Sequence, residues 1–157
     1  MSNGLNQYSE LLNYIKELGE GDAYINTITK GDNVDINKMD VYPMLNININ
    51  TATFPSEGTI LFSVELACLA IRDINKEVVT DKFWQQDNEV DNLNETLASL
   101  NRIWRIMDRD FLERNITIEG APSLEAIIFD NKNLLDGWSM TFDVELPNVT
   151  LSLCNEC

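Results

Sequence analysis

A chain of 157 residues with 26 acidic and 11 basic side chains, net charge −15, is the right size for one domain with its own core. That size needs no disulfide or metal for folding, and the charge argues against gripping nucleic acid, which depends on Lys and Arg displacing counterions from phosphates. No apolar run reaches the roughly 18 residues of a membrane span. The start Met1-Ser2-Asn3-Gly4 lacks the basic and apolar parts of a secretory signal, so a cytoplasmic product is expected.

Leu5, Tyr8, Leu12 and Ile15 recur at three- and four-residue spacing, with Leu11 and Leu18 beside them, which predicts a helix over residues 5–18. Gly19 and Gly21 are its expected stop. A short strand is expected over residues 23–29, and residues 30–40, polar and containing Gly31-Asp32-Asn33, as an exposed loop. From Val41 the period changes to two: Leu45, Ile47 and Ile49 alternate with Asn46, Asn48 and Asn50. Residues 51–58, with Pro55 and Gly58, are the expected turn. A return strand then places Ile60, Phe62, Val64, Leu66 and Cys68 on one face, completing a long antiparallel hairpin over residues 41–71.

Val90, Leu93, Leu97, Leu100, Trp104, Met107 and Phe111 alternate steps of three and four, the apolar stripe of a helix of roughly six turns. Ile103 and Ile106 widen the stripe to the breadth of a helix lying on a sheet. Asp87 or Asn88 is the expected cap, Asp91 suits the positive end, and Arg109 and Arg114 the negative end. Arg102, Arg105 and Arg109 make a basic row beside the stripe, either a solvated face or a contact for an acidic neighbour. Residues 116–119 read as a short strand broken by Gly120-Ala121-Pro122, residues 124–129 as another, with a turn at Asp130-Asn131-Lys132-Asn133. In the last strand Trp138, Met140, Phe142, Val144 and Leu146 alternate with Ser139, Thr141, Asp143 and Glu145, and Pro147-Asn148 ends it. The expected fold is a single α+β domain over residues 1–157, with 150–157 a loose tail. Its antiparallel sheet contains the long hairpin, and both helices pack on one face.

The chain contains no histidine, which removes the commonest general base, the Ser-His and Cys-His pairs and most zinc sites. No glycine-rich phosphate loop or nucleophile elbow occurs either, so no catalytic, cofactor-binding or metal residue is assigned and the chain is not expected to be an enzyme. Cys154-Asn155-Glu156-Cys157 has redox spacing but closes the chain instead of opening a helix, and Cys68 lies in an apolar run. Asp32 and Asp35 supply calcium-type oxygens without the spacing of a calcium-binding loop.

The order of elements, with Tyr42-Pro43 opening the hairpin, the amphipathic helix in the middle and Asp136-Gly137-Trp138 introducing the last strand, resembles the tail-terminator and head–tail joining proteins of tailed bacteriophages. The Gly-Trp and Pro-Asn of residues 134–153 are also similar to neck and tail proteins of crAss-like phages. The C-terminal CxxC departs from that family. The resemblance implies a virion structural protein of the neck or tail, assembled in the bacterial cytoplasm as a homo-oligomeric ring, a hexamer or higher, between neighbouring neck and tail proteins. DNA would pass an acidic lumen without being read or held, and no cofactor or membrane is implied. Subunit contacts would fall on the hairpin, including Tyr42 and Pro43, and on Arg102, Arg105 and Arg109.

The alternative is an acidic binding module that imitates DNA and blocks a nucleic-acid enzyme, which requires carboxylates gathered along one face. An enzyme built on a carboxylate pair would instead require a concave pocket holding two acids, one with a raised pKa.

Overall fold

The computed structural model describes residues 7–31, 42–72, 88–113, 116–130 and 134–147. The bulk of the expected 30–40 loop, Asp32 and Asp35, Asp87, Arg114 and the CxxC tail lie outside the described residues. Two helices, α1 (Gln7–Glu20) and α2 (Glu89–Glu113), accompany five strands, β1 (Thr27–Lys30), β2 (Met44–Ser56), β3 (Thr59–Ile71), β4 (Thr117–Asp130) and β5 (Leu135–Pro147). The strands form one sheet in the order β1-β2-β3-β5-β4. The class is α+β, as the sequence predicts, but the sheet is mixed. β2, β3, β5 and β4 are antiparallel neighbours, whereas β1 runs parallel to β2, with Thr27 opposite Met44. A parallel neighbour needs a crossover of about a dozen residues, and the chain between Lys30 and Met44 supplies that length.

Period-two alternation sends Leu45, Ile47, Ile60, Phe62, Val64, Leu66, Cys68, Met140, Phe142 and Val144 to one face, where they meet Leu11 and Ile15 of α1 and Leu100, Ile103, Met107 and Phe111 of α2. Both helices therefore cover the same face. Ile15 is fully buried, a burial that stabilises the fold by about 1.5–3 kcal/mol. The other face has a smaller apolar cluster of Tyr42, Met44, Ala67, Leu69 and Leu135 at one end, and is polar towards the β2–β3 turn.

Three local expectations change. Gly19 lies inside α1, which runs to Glu20; a Cβ there would stand 2.8 Å from Leu45 Cδ2, so its bareness lets the helix settle onto the sheet. The 51–58 segment is mostly strand: β2 continues to Ser56, and only Glu57-Gly58 turn, because β3 offers a partner ladder as far as Thr59. Irregularities at Asn50 and at Phe54-Pro55 accommodate Pro55, which cannot donate to a ladder. Likewise Gly120-Ala121-Pro122 does not end a strand. It bulges from β4 between the Glu119–Asp143 and Ser123–Thr141 pairs, with Gly120 at φ 73°, and an edge strand tolerates its proline.

The Asp136-Gly137-Trp138 run is explained by packing. A Cβ on Gly137 would stand 1.9 Å from the Cys68 carbonyl oxygen, so glycine alone permits the β3–β5 register there. The Trp138 indole N–H donates to the Leu93 carbonyl at 2.9 Å, tying the sheet to α2. Asp136, fully buried, accepts from Arg72 Nε and Nη2, both at 2.9 Å, and Arg72 also reaches Glu89.

Candidate functional site

The polar half of the helix-free face gathers carboxylates from three neighbouring strands. Glu65 of β3 lies opposite Thr141; Asp143 and Glu145 of β5 lie opposite Ser63 and Leu61; and β4 sets Glu119 against Asp143 and Thr117 against Glu145. Glu125, two residues beyond Ser123 on β4, has the same facing. Among the described residues no Lys or Arg of a strand shares this face. The Glu119 carboxyl is held above its ordinary pKa by its hydrogen bond to Glu145, then by the Glu145 charge, with Asp143 adding to it. Such crowding is a surface held at mutual repulsion, which a cation or a basic surface would relieve.

On the helical face, α2 packs mainly on β3 and β5 and less closely on the edge strand β4. Between α2 and β4 runs a groove of about 450 Å³ walled by Asn94, Leu97, Ala98, Asn101 and Trp104 of α2 and by Pro122 and Leu124 of β4, with Met140 beneath. Leu97 and Leu124 are 37% and 41% exposed there. A third surface is the tip of the β2–β3 hairpin, where every residue from Asn50 to Gly58 is exposed and Phe54 is 70% exposed.

The residues picked out from the sequence fall into two groups. Tyr42 is buried in the smaller apolar cluster, and its carbonyl accepts from Asn26 Nδ2 at 2.9 Å. Pro43, half-buried after a cis peptide bond, accepts the Asn26 amide at its carbonyl. Arg102, its side chain half exposed, bends over the buried Asp22, to which it donates from Nε at 2.8 Å and from Nη2 at 3.0 Å. Arg105 and Arg109 are exposed on α2, Arg109 lying 3.6 Å from Asp110. The basic row is thus split: one member fixes the fold and two face outward.

A second cavity of about 440 Å³ is bordered by Tyr24, Tyr42, Arg72, Asn92 and Glu95. Burial, followed by the Glu95 charge, raises the Tyr24 hydroxyl above its ordinary pKa. Glu95 is the one carboxylate among the residues bordering it, and none borders the groove; the raised carboxyl, Glu119, stands on an exposed sheet face. Burial also pushes the Cys68 thiol up to about 12, with Asp22 adding to the effect, so this cysteine stays a protonated core residue.

Sequence reasoning missed the carboxylate face. Its signal was present, since Glu65, Asp143 and Glu145 all sit on the polar side of an alternating pattern. Only the order β3-β5-β4 brings them side by side. No helix among the described residues is long and apolar enough to cross a membrane. No protein-family model matches the chain, and no curated protein matches it.

Proposed function

We propose that this chain is a virion structural protein of a tailed-phage neck or tail, a ring-forming terminator or connector through which DNA passes. The observation that carries the reading is the division of the molecule into a helix-covered face and a face of five carboxylates without a cation among the described strand residues. In a ring with that face inward, DNA would meet the like charge of these carboxylates and slide without being held. The exposed hairpin tip, the β4 edge and the outward Arg105 and Arg109 would supply the contacts to neighbouring copies and to other neck and tail proteins.

The same carboxylates favour a second reading, the DNA-imitating inhibitor, because they lie on one face as that reading requires. Mass in solution, measured by light scattering across protein and salt concentration and followed by electron microscopy, separates the two. Rings of six or more copies support the connector. A strict monomer at every concentration that binds a basic nuclease, and is released by salt, overturns it in favour of the inhibitor.

A further inference from the structure

Two surfaces with little or no charge stand out on a chain of net charge −15. One is the hairpin tip, residues 50–59, whose single charge is Glu57, and the other is the groove between α2 and β4, none of whose lining residues is charged. A second copy of so acidic a chain is repelled over most of its surface, and most strongly at the carboxylate face. It can approach closely only where charge is absent or complementary. The tip presents an aromatic knob, Phe54, and the groove an uncharged seat in which Leu97, Trp104 and Leu124 form an apolar part beside Asn94 and Asn101. Next to the groove, one residue past Trp104, stands Arg105, exposed and without a salt bridge among the described residues; Asp108 follows on the same flank.

We propose that the groove between α2 and β4 seats the β2–β3 hairpin tip of a second copy of this chain, with Phe54 in the apolar floor and Glu57 turned towards Arg105. The idea rests on the ring reading and gives it a specific contact. Knob and seat lie on different strands, β2 and β4, separated in the sheet by β3 and β5, so one molecule cannot satisfy itself. The contact is head-to-tail: each copy offers a free tip and a free groove, and the chain of contacts ends only by closing into a ring. A buried aromatic at the centre of a small contact is also the usual position of a dominant binding residue.

The test uses two full-length variants, Phe54→Asp and Leu124→Asp, each altered at a side chain already well exposed, with circular dichroism to verify folding; Leu97→Gln replaces Leu124→Asp if that variant unfolds. The wild type forms rings, and each variant alone is monomeric. An equimolar mixture yields a one-to-one heterodimer and nothing larger, because one intact tip meets one intact groove. Phe54→Ala raises the concentration for half-assembly by at least about tenfold. Rings that persist in both Asp variants overturn the hairpin contact and leave the ring reading standing. Loss of rings in both without rescue on mixing also overturns it, since a head-to-tail contact must be rescued. A wild type that never assembles overturns both.

Discussion

Asp22 and Arg102, eighty residues apart, are joined by two hydrogen bonds of 2.8 and 3.0 Å, and this pair clamps the turn after α1 to the middle of α2. The Asp22 carboxylate also accepts from the Tyr24 amide at 2.9 Å and from the Ser99 hydroxyl at 3.4 Å. Burial alone would raise this carboxyl, but the Arg102 and Tyr24 hydrogen bonds and the Arg102 charge outweigh it and hold it below the ordinary range. Removing the arginine would leave a carboxylate whose side chain is only 3% exposed. Arg102→Ala should therefore cost roughly 1–3 kcal/mol in urea unfolding, and Asp22→Asn on top of it should cost little more, because the pair acts as a unit.

The sign of the pH dependence follows from two groups that pull in opposite directions. Asp22 has a depressed folded pKa, so its contribution is fully present above the ordinary value of 3.8 and is lost as pH falls through the folded value. Glu119 has a raised folded pKa, so its crowding against Glu145 destabilises the fold at neutral pH and is relieved as pH falls through that value. Stability measured by denaturant across pH should rise modestly on mild acidification and then drop once pH falls below 3.8 towards the depressed folded value of Asp22. In Glu119→Gln the rise should be much reduced while the drop remains.

Gly137→Ala should be among the most damaging single substitutions. Its Cβ would overlap the Cys68 carbonyl, which is backbone in a central strand and cannot step aside. A cost of about 3 kcal/mol or more is expected, read as a loss of soluble protein or a large fall in the melting temperature. Wild-type melting of this variant would contradict the β3–β5 register.

Trp138→Phe keeps most of the ring and removes the N–H that reaches Leu93. The expected loss is about 1 kcal/mol, a single neutral hydrogen bond, and amide exchange in the first turns of α2 should speed up.

Arg72→Leu should be worse than Arg102→Ala. Arg72 is 9% exposed and its partner Asp136 fully buried, so the variant takes the guanidinium from a carboxylate without solvent and leaves it the longer Asn92 contact, at roughly 3–5 kcal/mol. Urea unfolding of the two variants side by side gives the order.

The sequence by itself determined the elements and their facing. The three-four spacing from Val90 to Phe111 fixed α2, and the alternation of Leu45, Ile47, Phe62, Val64, Phe142 and Val144 fixed the core faces of the strands, because each element must turn its apolar residues to one side. Tertiary structure decided what period cannot encode. The parallel placement of β1, where Asn46 is buried and donates to the Gly31 carbonyl at 2.8 Å instead of facing water, depends on a crossover. The turning of Arg102 towards Asp22 depends on where two distant helical segments meet. The gathering of Glu65, Glu119, Asp143 and Glu145 depends on which strands become neighbours. Periodicity is a property of adjacent residues along the chain, whereas register and charge proximity arise only when segments far apart in sequence are packed together.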